Sequence, residues 1–125
     1  MARKILIVED EKILADMYEE SFIQRGFNVV MAYSAEQGIV VAKREKPDIA
    51  LLDILLPVGS GIAFLKAKNN DPAIASIPVV VFSNYDDPET KRQAADFGVL
   101  DYLLKTSFTP QQIIERVEQF LNSQN

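Results

Sequence analysis

The sequence contains no cysteine and no histidine. Without cysteine there is no disulfide framework and no thiolate nucleophile or ligand. Without histidine there is no imidazole base, nucleophile or metal ligand, so any metal chemistry has to use hard oxygen donors. Long apolar runs are also missing: nothing approaches the eighteen or more residues of a membrane span. The opening run Ile5-Leu-Ile-Val is four residues long before Glu9-Asp10-Glu11-Lys12, too short for the apolar core of a signal peptide. Positive charge is in deficit, with 13 Lys and Arg against 18 Asp and Glu, a net −5. That balance argues against direct nucleic-acid binding by this segment, and a cation or a basic partner surface is the better expectation. A soluble cytoplasmic protein with no membrane association is expected.

What remains is ordinary globular material. The 125 residues are 48% hydrophobic and 25% charged, enough for one cored domain spanning 1–125. The stretch Asp48 to Gly61, D-I-A-L-L-D-I-L-L-P-V-G-S-G, organises the rest. Ile49 to Leu52 have no polar alternation, as in a strand covered on both faces. The strand runs into Asp53, and a turn held by Pro57 and opened by Gly59 and Gly61 follows.

In chain order, Ile5 to Val8 reads as a buried strand. Ile13, Leu14, Met17, Tyr18, Phe22 and Ile23 form the apolar stripe of a helix ending at Arg25-Gly26. Phe27 to Ala32 is a second strand. Ser34 caps a helix to about Glu45, with Gln37 as reciprocal partner and Pro47 closing it. After the central strand, Ile62, Phe64, Leu65 and Ala67 fit a helix to Asn69-Asn70, and Ile77 to Phe82 is the fourth strand. Asp87-Pro88 caps a helix through Phe97, stopped by Gly98. Val99 to Leu104 is the fifth strand. Thr109-Pro110 opens the last helix, with Ile113, Ile114, Val117, Phe120 and Leu121 facing the core. Five strand–helix units without a linker predict an α/β fold: a single doubly wound five-stranded parallel sheet with five flanking helices.

In such a sheet the carboxyl ends of the strands share one edge. The first strand delivers Glu9 and Asp10 there, the third Asp53, the fourth Ser83 and the fifth Lys105. Each has an ordinary reading: acids favouring a helix dipole, an aspartate or serine in a turn, a solvated lysine. Complementary groups at four of five strand exits are much harder to assign to accident. Clustered carboxylates repel, and a Mg²⁺ ion (or Mn²⁺) relieves this through octahedral oxygen coordination. Glu9, Asp10, Asp53 and the main-chain carbonyl of Leu55 are the expected ligands. The chemistry these groups suit is phosphoryl transfer onto the Asp53 carboxylate, with Lys105 and the Ser83 hydroxyl on the phosphoryl oxygens.

I-L-I-V-E-D-E near the start, D-I-L-L-P-V-G-S-G around Asp53, V-V-V-F-S and D-Y-L-L-K closely resemble the receiver domain of two-component response regulators, across essentially the whole chain. The resemblance implies the flavodoxin-like strand order 2-1-3-4-5. It also implies Asp53 as phosphoacceptor, Glu9 and Asp10 as the metal-binding pair, and Ser83 and Lys105 as the hydroxyl and lysine of the site. Tyr102 takes the place of the aromatic switch residue. Receivers of this kind take phosphoryl groups from a histidine kinase or phosphotransfer protein. They signal through the surface of the fourth helix, fifth strand and fifth helix to a downstream protein or effector domain, whose identity stays open. The resemblance further implies a phosphoacceptor with only autocatalytic phosphorylation and dephosphorylation.

The chain departs from the family pattern after Lys105 and after Ser83. Thr106 stands where the family commonly has proline after a cis bond; a cis non-proline bond costs roughly 2.5–4 kcal/mol, which favours a trans Lys105–Thr106 bond. Asn84 and Tyr85, with Leu55, sit where side chains tune the lifetime of the acyl phosphate. Lys91, Arg92, Asp101, Glu115, Arg116 and Glu118 are candidates for charge pairs across a phosphorylation-dependent homodimer, although a solvated face is the commoner use of such residues. A Mg²⁺-dependent aspartate-nucleophile phosphatase would need an acid two residues after Asp53, where Leu55 stands. A flavin carrier would need a Ser/Thr/Gly-rich loop after the first strand, which ends E-D-E-K. A receiver-like interaction module without phosphorylation is the remaining alternative. The sequence fits both a stand-alone receiver and one domain of a longer protein.

Overall fold

The computed structural model describes residues 2–56 and 60–123. Strands and helices alternate: β1 (Lys4–Val8), α1 (Lys12–Gln24), β2 (Asn28–Ala32), α2 (Ala35–Glu45), β3 (Ile49–Leu52), α3 (Gly61–Asn69), β4 (Val79–Ser83), α4 (Pro88–Asp96), β5 (Asp101–Leu104) and α5 (Pro110–Ser123). The sheet is parallel throughout, in the expected order β2-β1-β3-β4-β5.

Handedness explains how the helices distribute. The chain steps from β1 outward to β2, then reverses across β1 to β3 and continues to β4 and β5. Right-handed crossovers in opposite directions put their helices on opposite faces. One core therefore packs α2, α3 and α4 residues such as Val41, Phe64, Leu65 and Ala94 against Leu6, Val8, Leu52 and Val81. The other packs Tyr18, Phe22, Ile113, Ile114, Val117 and Leu121 of α1 and α5 against Ile5, Ile7, Leu51, Phe82 and Leu103. Neighbouring strand residues alternate between these two cores, as the two-residue period of a strand requires. β1 and β3 are buried almost throughout, which is why their sequences lack polar alternation.

The helix ends follow local chemistry. Ser34 Oγ accepts from the Gln37 amide (3.1 Å), and the Gln37 side chain accepts from the Tyr33 amide (2.7 Å), one residue upstream of the usual reciprocal partner. Asp87 accepts from the Thr90 amide (2.9 Å) with Pro88 in the first turn of α4. Gly26 and Gly98 take positive φ just past α1 and α4, where a side chain would be strained. Pro57 and Gly59 of the expected turn lie outside the described residues. Gly61 opens α3, which Ser60 caps by accepting from the Ala63 amide (3.2 Å).

The apolar stripe assigned to α1 needs correction. Ile13 is 81% exposed and Ile23 54%, while Ala15, Tyr18 and Phe22 are the buried face. At about 100° per residue, Ile13 points almost opposite to that face, and small Ala15 lets the helix approach the sheet. The first residues assigned to the second, fourth and fifth strands lie outside the ladders, which begin at Asn28, Val79 and Asp101.

Candidate functional site

The reversal of strand order falls between β1 and β3, and their carboxyl ends diverge there into a crevice. The main chain fixes its floor: the Asp53 amide donates to the Val8 carbonyl (3.0 Å) and the Glu9 amide to the Ala32 carbonyl (3.1 Å). Glu9 and Asp53 are buried, Asp10 is exposed at the rim, and one carboxylate oxygen of each lies within 4.8 Å of the others. The crevice of about 300 Å³ is lined by Glu9, Asp10, Glu11, Asp53, Leu55, Asn84 and Lys105.

Lys105 reaches in from the end of β5 and donates to Glu9 Oε2 (2.7 Å) and Asp53 Oδ2 (3.2 Å). The second oxygens of both acids are also engaged. Glu9 Oε1 accepts from the Glu11 amide (3.1 Å) and Asp53 Oδ1 from the Leu55 amide (3.2 Å). Burial pushes the Glu9 carboxyl up from its ordinary 4.5, against the hydrogen bond and charge of Lys105, which pull it down. Tyr18 lies beneath the acids; burial, then the charges of Glu9 and Asp53, push its phenol up to about 12, which keeps it neutral. Hard carboxylate oxygens at this spacing form a set capable of chelating a divalent cation.

The residues after β4 form a relay towards the surface. The Tyr85 amide donates to Ser83 Oγ (3.0 Å), and the Tyr102 hydroxyl donates to the Tyr85 carbonyl (2.6 Å). Ser83 is wholly buried, whereas the Tyr85 side chain is 41% exposed. Tyr85 therefore meets the site through its main chain. Burial, reinforced by the charges of Asp53, Asp86 and Asp87, raises the Tyr102 phenol above its ordinary 10. The structure thus brings Glu9, Asp10, Asp53, Leu55, Asn84 and Lys105 into one crevice, with Ser83, Tyr85 and Tyr102 linked behind it. All described peptide bonds are trans, Lys105–Thr106 included.

The site roles of two residues escaped sequence reasoning. Phe82 lies under the Lys105 ammonium, whose nitrogen is 4.6 Å from the ring centroid. Gly61 lies against the acidic loop: a Cβ there would come within 2.7 Å of both the Asp53 carbonyl oxygen and the Ile54 Cα. The V-V-V-F-S stretch places Phe82 beside Ser83, but the register that pairs Phe82 with Leu103, two residues before Lys105, is not written in it.

The family model of the response regulator receiver domain matches residues 5–118. The chain belongs to this receiver family. It is 34% identical over 118 residues to the phosphate regulon transcriptional regulatory protein PhoB of Escherichia coli K12, covering 94% of this chain and 51% of that protein. The same protein of Klebsiella pneumoniae is 33% identical over the same shares. The chain thus spans about half the length of the curated relatives it matches. A receiver domain protein of Methanospirillum hungatei JF-1 superposes with a TM-score of 0.89 at 26% identity, covering 99% of this chain and 97% of that one. A response regulator of Chloroflexus aurantiacus J-10-fl gives 0.87 at 29%, covering 98% and 99%. The receiver fold and its acidic cluster are those of the phosphoacceptor site of two-component signalling. Receivers are not ordinary turnover enzymes, and their chemistry is autocatalytic phosphorylation and dephosphorylation at an aspartate. No helix of the described residues is long and apolar enough to cross a membrane.

Proposed function

We propose that residues 1–125 form one cytoplasmic receiver domain whose Asp53 accepts a phosphoryl group from a phosphohistidine of a histidine kinase or phosphotransfer protein. The observation that carries this reading is the bridge from one ammonium, Lys105, to two buried carboxylates, Glu9 and Asp53, on the floor of an open crevice.

Asp53 Oδ forms the bond to phosphorus in line as the phosphorus–nitrogen bond breaks, and the departing imidazole keeps the electron pair and takes a proton. Glu9, Asp10, Asp53 and the Leu55 carbonyl would hold Mg²⁺, or Mn²⁺ in its place. When bound, the ion supplies charge neutralisation and orientation of the phosphoryl oxygens. Lys105 turns one of its donors to a phosphoryl oxygen, and the Ser83 hydroxyl donates to another. Moving the Ser83 hydroxyl disturbs its bond from the Tyr85 amide. Because Tyr102 is bonded to the Tyr85 carbonyl, the change reaches the α4–β5–α5 face. Asn84 and Leu55 line the crevice on the path of an attacking water and, with Tyr85 held to Ser83 through its main chain, set the lifetime of the acyl phosphate.

The test is incubation with phosphoramidate and Mg²⁺, read by intact mass and hydroxylamine sensitivity. The chain should gain one phosphoryl group that Asp53→Ala cannot accept. Unchanged incorporation in Asp53→Ala would overturn the assignment.

A further inference from the structure

Phe82 is the last apolar residue of β4, wholly buried, and it shares a core with α1 and α5. The Lys105 ammonium lies over its face at 4.6 Å, and the Tyr18 ring meets it nearly at right angles, 88° with centroids 5.0 Å apart. An ammonium has three N–H donors. Two of those on Lys105 go to Glu9 and Asp53. A polar neighbour beneath the lysine would claim the third, and an aliphatic one would remove water while returning no attraction. An aromatic face attracts the cation through its quadrupole and accepts no conventional hydrogen bond, so the third donor stays available to the crevice.

We propose that Phe82, its ring braced by Tyr18, is a positioning residue that seats the Lys105 ammonium under the phosphoryl site and leaves one donor free for a phosphoryl oxygen. The inference deepens the phosphoacceptor reading and rests on it for the phosphoryl partner. Tyr18 acts one step further back, by fixing the plane of the Phe82 ring.

The seat is tested first in the resting chain by NMR. Ring current should place the Lys105 Cε protons upfield of those of the other lysines, and Phe82→Leu should remove the displacement. This measurement needs no phosphodonor, so it is independent of whether Asp53 accepts a phosphoryl group. The role is tested by replacing Phe82 alone with mono-, di- and trifluorophenylalanine, which drain the ring face of negative charge with little change of shape. Beryllofluoride affinity and the rate with phosphoramidate should fall stepwise, by about fivefold across the series. Mg²⁺ affinity without beryllofluoride should not fall and should rise by no more than about twofold, because Glu9 and Asp53 keep the Lys105 ammonium as their counterion. The same fluorination at Phe64, in the opposite core, should change neither quantity.

Lysine protons without an upfield displacement, a flat fluorine series, or an equal loss from Phe64 fluorination would overturn the proposal. So would a parallel fall in Mg²⁺ affinity, which would mark general distortion of the site. An unmodified chain that takes no phosphoryl group would strike the phosphoacceptor reading, while the lysine shifts would still decide whether the seat exists.

Discussion

Replacing Lys105 with methionine keeps the length and apolar bulk of the side chain and removes its charge. Its side chain is 10% exposed, and those of Glu9 and Asp53 are 1% and 8% exposed, so the charges it neutralises are poorly reached by solvent. Removing one partner of a fully buried pair costs about 3–5 kcal/mol, because the other charge is left without compensation. Here the crevice opens to water and exposed Asp10 draws in counterions, so the metal-free variant should lose less, about 2–3 kcal/mol. In a chain of 125 residues that lowers the melting temperature by roughly 7–12 °C. The variant should also bind Mg²⁺ more tightly, since no ammonium competes for Glu9 and Asp53. Two unit charges about 4 Å apart near a protein surface interact by about 4 kcal/mol. Crevice water screens most of that, leaving an expected gain of about tenfold, or ~1.4 kcal/mol. Mg²⁺ at 100 times its Kd then contributes about 2.7 kcal/mol, enough to restore the loss. Calorimetric melting with EDTA and with Mg²⁺, together with Mg²⁺ titration by calorimetry, reads both quantities. A variant as stable as the parent in EDTA that binds Mg²⁺ no more tightly would refute the view that Lys105 is the resting counterion of the two acids.

Gly61→Ala places a Cβ 2.7 Å from two backbone positions of the acidic loop, neither of which can rotate away. It should cost about 1–3 kcal/mol in urea melts and slow phosphorylation with the melt still cooperative; a neutral result would show that the loop moves freely. Phe22→Ala empties a wholly buried site in the α1–α5 core and should cost about 3–5 kcal/mol in the same melts, with Mg²⁺ affinity unchanged in the folded protein. Acid titration should weaken the fold through Asp87, held below its ordinary 3.8 by the Thr90 hydroxyl and amide, and Asp71, held below it by Lys43 and the Ala73 amide. Their contribution is full above 3.8 and disappears as pH falls through the lower folded values, so Asp87→Ala should flatten the acid limb of a pH–stability curve.

The sequence was most informative where one local rule decided the outcome. Unbroken apolar runs gave strands buried on both faces, and Ser34, Asp87, Gly26 and Gly98 punctuated helices as their side chains or φ values require. Five βα units implied parallel pairing, whereas the strand order came from the family pattern, because a buried apolar run carries no label for its neighbour. Convergence of the acids and the lysine was legible because the exit of a parallel strand is fixed by its direction. Helix phase was less so. Apolar residues at 13, 14, 17, 18, 22 and 23 of α1 cover too wide an arc to choose a face, and the face was set by Ala15, which periodicity ignored. Most of the surface charges named for a homodimer have partners in the single chain. Arg116 pairs with Asp101 (2.6 Å), Arg92 with Asp96 (2.7 Å) and Glu89, Lys91 with Asp86, and Glu118 with Arg25 (2.6 Å), all within one chain. A second copy would have to break such pairs before using them, and each exposed pair is worth only about 0–1 kcal/mol.

The site's chemistry and its resting stability draw on the same ammonium. In the unphosphorylated chain Lys105 neutralises Glu9 and Asp53 at 2.7 and 3.2 Å. An acyl phosphate on Asp53 takes the free donor of that lysine and adds negative charge beside it, so one positive charge is shared among more anions and Glu9 is less well neutralised when it most needs a counterion. A divalent cation resolves the conflict, because it replaces the charge that Glu9 loses while binding the same phosphoryl oxygens. Metal and phosphoryl group are therefore coupled through Lys105, and each should raise the affinity of the other. The coupling should be weaker in Lys105→Met, where no cation has to be shared between Glu9 and the phosphoryl oxygens. A beryllofluoride titration at several Mg²⁺ concentrations measures it in both chains, and equal coupling in the two would show that the lysine takes no part in the exchange.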